Sequence, residues 1–368
     1  MNKKIKVFEA FAGYGSQSIA LRNLGIAHEV VAISEIDEYA IKAYYALHDR
    51  NIPNLGDIRQ IKVEDIPEHD LFTYSFPCTD ISVAGRMEGL IEGETRSGLL
   101  YECRRIIAHC KPKYLLLENV KNLVGRRFKP QFDEWLSYLE SLGYTSYWKV
   151  LNAKDYGVPQ NRERVFVISI LGDHEPYQFA DKIPLDKCIA DILEDEVDEK
   201  YYLSKEIQNR FKITNQNKNI LGTTKPDFRT IGQRDLVYDK NGIMGALVAT
   251  DYKQPKQIAE INQLGMLDIK GNEQVRRVYG ANGISPTLNT MQGGNRQPKI
   301  LEGLDYRIRK LTPRECFRLM GMSDGDIDKI QAAGISNTQQ YKMAGNSIVV
   351  NVLEAIFGEL FGIKKKDK

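Results

Sequence analysis

The stretch IKVFEAFAGYGSQSIALRNLGIAHEVVAISEIDEYAIKAYYALH (residues 5–48) decides the fold. IKVFEAFAG (5–13) is an apolar run closing on a glycine turn, as a buried strand does. SQSIALRNLG (16–25) has helical spacing and a terminal glycine. HEVVAIS (28–34) predicts a second strand and EYAIKAYYALH (38–48) a second helix. The alternation continues. DLFTYSFP (70–77), KYLLLENV (113–120), TSYWKVLNA (145–153) and RVFVISIL (164–171) read as strands. SGLLYECRRIIAHC (97–110) and QFDEWLSYLESLG (131–143) read as helices. Strands alternating with helices predict an α/β fold with a mostly parallel sheet covered on both faces.

The rest of the chain sets the bounds. Its 368 residues suggest about two domains, and 42% hydrophobic with 27% charged residues is ordinary globular usage. Disorder, collagen-like repeats and coiled coil are excluded. The opening MNKKIKVFEAFAG lacks the apolar run of a signal peptide, and no stretch approaches 18 apolar residues, so no membrane span is expected. Five cysteines without a CxxC pair fit reduced thiols in a cytoplasm. Five scattered histidines give no basis for a zinc site, and no metal is expected.

A net charge of +2 hides an asymmetry. Residues 201–310 carry 18 Lys or Arg against 10 Asp or Glu, whereas residues 1–200 carry 25 against 32. A basic block is how a nucleic-acid-binding domain can look; a solvated lysine-rich surface looks the same. The strand–helix rhythm fails after about residue 180, and DEVDEK (195–200) reads as an acidic linker or exposed turn. Helical patterns return at LTPRECFRLMG (311–321), with Thr312 as N-cap and Pro313 at the first helical position, and at NSIVVNVLEAIFGELFG (346–362). Within the basic block VYDKNGIMGAL (237–247) resembles VYGANGISPTL (278–288), at an offset of 41 residues, and predicts two hairpin-like units turning at Asn-Gly.

Several segments carry chemistry. In FAGYGS (11–16), Gly13 and Gly15 allow a tight turn and close backbone approach to a ligand. Glu35 ends the second strand, where a carboxylate accepts hydrogen bonds from ribose hydroxyls. The loop lacks GxGxxG, which counts against a dinucleotide. Asp57 in GDI (56–58) is placed to hold a base edge. SFPCTDIS (75–82) puts Cys78 just past a strand, either as a small core residue or as a nucleophile. The long, Gly-rich, charged loop after it reads as a lid. Glu118 in ENV ends another strand after an apolar run; partial burial there would raise its pKa. Arg162 and Arg164 in QNRER (160–164) share a strand face and are placed to grip an anion or a carbonyl oxygen.

Taken together and in this order, FAGYGS, GDI, SFPC, ENV, QNRER, RKLTPREC and AGNS resemble the motif series of the cytosine-C5 DNA methyltransferases of bacteria and phages. The resemblance spans residues 5–171 and 306–357. It implies a Rossmann-like, S-adenosylmethionine-dependent methyltransferase sheet with a smaller, mostly β or irregular target-recognition domain. The implied domains are 1–184 (catalytic and cofactor-binding), 185–305 (target recognition) and 306–368 (a return segment completing the first). S-Adenosylmethionine is the implied cofactor, with S-adenosylhomocysteine as product. Phe11, Gly13, Gly15, Ser16, Glu35, Ile36, Asp57, Ile58, Pro77 and Leu100 would line its site, and Asn346 and Ser347 would close it. Cys78 would be the nucleophile, Glu118 would contact cytosine N3 and the exocyclic amine, and Arg162 and Arg164 would support the base carbonyl and the loop. Ser82 and Arg86 would approach the DNA backbone. Thr79 departs from the family, which commonly has Gln there.

The implied partner is double-stranded DNA, met by a monomer in the bacterial cytoplasm; a cognate restriction endonuclease is not inferable. The alternatives are tRNA as substrate, or a non-catalytic DNA-binding regulator on the same scaffold. An exocyclic-amino methyltransferase would carry an Asp/Asn-Pro-Pro-aromatic motif where SFPC stands.

Overall fold

A six-stranded sheet runs in the order β2-β1-β3-β4-β7-β5. Its strands are β1 (Ile5–Ala10), β2 (His28–Ser34), β3 (Leu71–Tyr74), β4 (Tyr114–Val120), β5 (Tyr144–Asn152) and β7 (Glu163–Leu171), with the two-residue β6 (Gln160–Asn161) outside it. β2, β1, β3 and β4 are mutually parallel; β7 runs antiparallel to both β4 and β5. The sheet is therefore mixed, and its parallel half carries the alternation read in the sequence. Helices α1 (Ser16–Asn23), α2 (Glu38–Leu47), α3 (Leu100–Cys110) and α4 (Lys129–Ser141) connect it. The computed structural model describes residues 4–78, 80–81, 89–91, 93–95, 97–208, 212–217, 220–223, 235–240, 242–253, 255–261, 278–280, 299–301 and 306–363.

The chain divides into two compact units, Met1–Asp195 with Asn241–Pro255 and Leu311–Lys368, and Glu196–Lys240 with Lys256–Lys310. The boundary expected at 184/185 thus falls at Asp195, inside the acidic DEVDEK stretch. Burial is the reason: Ile189 and Ile192 are core residues, and Arg318 donates to the carbonyls of Ile192 (3.1 Å) and Leu193 (3.0 Å). The second unit contains a five-stranded sheet ordered β15-β12-β10-β9-β8. These strands are β8 (Lys212–Asn217), β9 (Ile220–Thr223), β10 (Leu236–Asp239), β12 (Gln257–Ile261) and β15 (Tyr306–Lys310). Residues 306–310 therefore belong to the second unit, not to the return segment.

The first repeat copy is not a hairpin. β10 pairs parallel with β12, and the chain between them returns to the first unit, where β11 (Met244–Gly245) pairs with β6. Of the second copy only Val278–Gly280 (β13) is described, pairing parallel with Lys299–Leu301 (β14); its expected turn lies outside the described residues.

At the C-terminus Thr312 caps a helix (Pro313–Arg318), with Glu315 completing a capping box, as the sequence predicts. Two helices the periodicity missed follow, Asp324–Ala332 and Asn337–Asn346. The apolar stretch expected as one helix over 346–362 is interrupted. One helix ends at Asn346, Ser347 is extended, and the next runs Val350–Leu360. By length and composition 337–360 is apolar enough to cross a membrane, but most of its most apolar window is buried within this fold. The last helix packs beside α1, where Asn23 donates to Glu354 at 2.8 Å.

Glu9 sits in β1 with no exposure. It accepts from the Ser18 amide (3.1 Å) and hydroxyl (2.8 Å) on α1 and from the Tyr44 hydroxyl (2.9 Å) on α2. Burial pushes its carboxyl up to about 7 despite those bonds. The neutral acid thus favours the folded state fully below the ordinary carboxyl range, and that stability is lost as pH rises through about 7. A shift of this size is worth about 3 kcal/mol. The stability difference between Glu9→Gln and the parent should change by about that amount, in the variant's favour, between pH 4.5 and pH 8. Urea unfolding at the two pH values measures it; a pH-independent difference contradicts the burial argument.

Candidate active site

After β1 the chain turns toward β2, and after β3 it turns toward β4, on the opposite side. The carboxyl ends of β1 and β3 therefore flank the switch point of the parallel sheet, the crevice where such sheets bind ligands. FAGYGS follows β1 and Pro77-Cys78 follows β3, so topology alone brings the glycine turn beside the cysteine.

The turn is tightly built. The Phe11 amide donates to the Ser34 carbonyl (2.8 Å), with Phe11 at φ 55°, a strained value for a side chain of that bulk. Gly15 has φ +82°, and a Cβ there would lie 2.4 Å from His48 Nε2, so only glycine fits. Gly13 differs: at φ +59° a Cβ would meet nothing within 4 Å. Its open side faces free space. The Gly13 amide donates to Glu35 Oε2 (2.9 Å), while Glu35 Oε1 accepts from the amides of Ile36 (2.8 Å) and Asp37 (2.9 Å). Glu35 thus joins the glycine turn to the end of β2. Ile36 beside it is 70% exposed, a large apolar side chain left uncovered. Asp57 caps the short turn 58–60 and pairs with Arg59.

The Cys78 turn is held from several sides. Asn119 Nδ2 donates to the Phe76 carbonyl (3.0 Å). The Ser97 hydroxyl donates to the Pro77 carbonyl (2.7 Å) and accepts from the Asp80 amide (3.2 Å), and the Ser97 amide donates back to Asp80 Oδ2 (2.9 Å). Asn122 Nδ2 donates to the Ile81 carbonyl (2.6 Å). Sequence reasoning passed over Ser97, Asp80, Asn119 and Asn122; a serine 19 residues from the cysteine gives no local signal. If Cys78 is the reacting group, Ser97→Ala should lower kcat by about tenfold or more, because a small misplacement of a reacting atom is costly. KM should stay within about twofold and Ser97→Thr should restore the rate. Steady-state kinetics would contradict this by an unchanged kcat.

Glu118 lies on β4, 7% exposed, and its Oε1 meets Arg164 Nε at 3.3 Å. Burial raises its pKa, as its apolar neighbours predict, and Arg164 and Arg162 pull the other way. The Cys78 thiol is also pushed up, by burial first and by the Glu118 charge second; the two arginines again oppose. Cys78 and Glu118 are thus electrostatically coupled, and protonating Glu118 removes one of the causes that disfavour the thiolate.

The two arginines, expected to act together, have different partners. Arg164 faces Glu118. Arg162 is buried, donating to the carbonyls of Leu247 (2.7 Å), Gly345 (3.1 Å) and Ser347 (2.7 Å). The helix that ends at Asn346 leaves such carbonyls without intrahelical partners, and the guanidinium supplies donors. Burial, then Arg164, lowers its pKa to about 9, so it remains a cation at neutral pH. Its Nε is buried without a hydrogen-bond partner among the described residues.

The structure thus brings Phe11, Gly13, Gly15, Glu35, Ile36 and Pro77 to the crevice with Cys78, Glu118 and Arg164. Ser16 opens α1 and is buried. Ile58 and Leu100 are 2% exposed and belong to the core, so they back the crevice rather than surface it. Asn346 is exposed and Ser347 half-buried at the helix break. Ser82, Arg86 and Thr79 lie outside the described residues.

The family model described as "C-5 cytosine-specific DNA methylase" matches residues 5–362. The chain is similar to the type II methyltransferase M2.ScrFI of Lactococcus lactis subsp. cremoris, at 38% identity over 97% of this chain and 99% of that one. It is also similar to the orphan methyltransferase M.SPBetaI of Bacillus phage SPbeta, at 33% identity over 97% of each. Among solved structures the Entamoeba histolytica methyltransferase EhMeth aligns with a TM-score of 0.69 over 98% of this chain and 99% of that one; at 18% identity it speaks for the fold alone.

Proposed function

Since this chain belongs to the C-5 cytosine-specific DNA methylase family, we propose that Cys78 and Glu118 act as its nucleophile and proton donor, in a crevice that also takes S-adenosylmethionine. The reaction itself is methyl transfer to carbon 5 of cytosine in DNA. The observation that carries the assignment is geometric: Cys78 follows β3 and Glu118 lies on the neighbouring β4, with Arg164 Nε 3.3 Å from the Glu118 carboxylate.

The residues fit the cofactor. The open side of Gly13 admits close backbone approach, Glu35 is a carboxylate suited to ribose hydroxyls, and exposed Ile36 is an apolar surface for the base. Asp57, Pro77, Asn346 and Ser347 complete the set, with Ile58 and Leu100 behind it. When bound, S-adenosylmethionine supplies an electrophilic methyl group on a sulfonium.

Carbon 5 of cytosine is a poor nucleophile. The Cys78 thiolate forms a bond to carbon 6, and the electron pair displaced toward N3 is met by the proton that Glu118 holds. The resulting enamine makes carbon 5 nucleophilic. After transfer, loss of the carbon 5 proton, expulsion of Cys78 and return of the N3 proton to Glu118 restore aromaticity. Arg164 fixes the Glu118 carboxyl, and Arg162 ties the QNRER strand to the helix break at Ser347. None of this is possible inside a stacked duplex, so the target base flips out at a cost of a few kcal/mol. Contacts to the flanking phosphates and grooves offset that cost. The second unit, with the basic excess of 201–310, is the target reader. Ser82 and Arg86 serve the DNA backbone, and the setting is the bacterial cytoplasm.

The test is expression in a host without cytosine methylation, followed by bisulfite sequencing. Protected cytosines at one short motif support the reading. Complete conversion, from folded protein that binds S-adenosylmethionine, contradicts it and turns attention to tRNA.

A further inference from the structure

The segment after β4, KNLVGRRFKP (121–130), holds four cations and no carboxylate. It opens in a short turn, Lys121–Val124, three residues beyond Glu118, and so stands at the carboxyl edge of the sheet that carries the site. It also braces the Cys78 loop. Asn122 donates to the Ile81 carbonyl (2.6 Å), and Gln131 donates to that of Leu90 (3.3 Å). Two of the cations are spoken for: Lys121 pairs with Glu163 at 3.0 Å, and Lys129 pairs with Asp133. Arg126 and Arg127 are exposed. The Arg127 guanidinium lies 5.4 Å over the Phe128 ring, and among the described residues no carboxylate pairs with either arginine.

Local stability does not explain them. They immediately precede α4, whose N-cap Phe128 makes no side-chain cap bond and whose first turn holds no acid. Cations before a helix N-terminus oppose the helix dipole. A segment that breaks this rule without local compensation points to a function.

We propose that Arg126 and Arg127 bind backbone phosphates of the DNA duplex beside the target cytosine. The proposal rests on the reading of the site given above. A base that reaches Cys78 and Glu118 brings its flanking phosphates to this edge of the sheet. Two guanidiniums there add affinity without reading sequence, because phosphates are the same at every step. They also sit on the segment that donates to the carbonyls of Ile81 and Leu90.

Each neutralised phosphate contributes about 0.9 to the slope of log affinity against log salt concentration. The Arg126→Gln/Arg127→Gln double variant, as full-length chain with S-adenosylhomocysteine present, should therefore lose about 2 from that slope on a random-sequence duplex. At about 0.1 M salt its binding should weaken by roughly 60-fold relative to the parent, counted from a common affinity at about 1 M salt. Its affinity for S-adenosylhomocysteine should equal the parent's. An Arg126→Lys/Arg127→Lys variant should keep the parent's slope, which separates charge from folding. An unchanged slope in a glutamine variant that binds S-adenosylhomocysteine normally overturns the proposal. If the parent binds no duplex at all, the functional reading fails and this inference with it.

Discussion

Cys78→Ser should abolish methyl transfer, by at least about 10⁴-fold, while leaving duplex binding intact. A hydroxyl is far less acidic than a thiol and its oxygen a poorer nucleophile toward carbon 6. The structure adds a reason the loss should be steep. Burial and the Glu118 charge already disfavour an anion at this position, and a serine hydroxyl would ionise there far less readily than the thiol. The variant should fold normally, since the Asp80–Ser97 and Asn119 bonds that shape the turn do not involve the sulfur. Radiolabel transfer and gel-shift binding measure the two effects together. Turnover near the parent's would remove Cys78 from the mechanism.

The second large effect is expected at Glu118. Glu118→Gln keeps the shape and removes the proton to be given to cytosine N3, so kcat should fall by about 10² to 10⁴-fold, the usual worth of a positioned acid. The thiol should move the opposite way. In the parent, the Glu118 charge raises the Cys78 pKa. The glutamine variant lacks that charge while Arg164 and Arg162 stay, so the thiol becomes more acidic. The pH dependence of Cys78 alkylation, taken against Cys78→Ser to subtract the other thiols, should shift to lower pH even as turnover collapses. A slower enzyme with a more nucleophilic cysteine is a signature that mere misfolding would not produce. A shift to higher pH, or none, would contradict the coupling.

How far the sequence could be read follows the range of the interactions. The β1–α1–β2–α2 opening has bounds within a residue or two of the prediction, except where FAG leaves the strand at Ala10, because apolar periodicity and glycine stops are local signals. The Thr312 cap was legible for the same reason. Glu118 burial was legible from the three leucines before it. The Arg162 interactions were not: its acceptors are 85, 183 and 185 residues away, and no spacing rule reaches that far. The return of 241–255 to the first unit was hidden likewise. A turn-rich Asn-Gly stretch suggested a hairpin, but β10 found its parallel partner in β12, which requires a crossover rather than a tight turn. The helix break at Ser347 was masked by a continuous apolar run, and the Ser347 carbonyl met Arg162 instead of continuing the helix.

Chemical trapping tests the nucleophilic role of Cys78 most directly. A duplex carrying the motif found by bisulfite sequencing, with 5-fluorocytosine at the target, is mixed with protein and S-adenosylmethionine. Fluorine at carbon 5 replaces the proton whose loss would release the sulfur, so the adduct should persist. The expected result is a denaturation-stable protein–DNA complex whose cross-linked peptide contains Cys78, and none with Cys78→Ser. An adduct on another cysteine, or full methylation of ordinary DNA with no adduct on the fluorinated duplex, would contradict it.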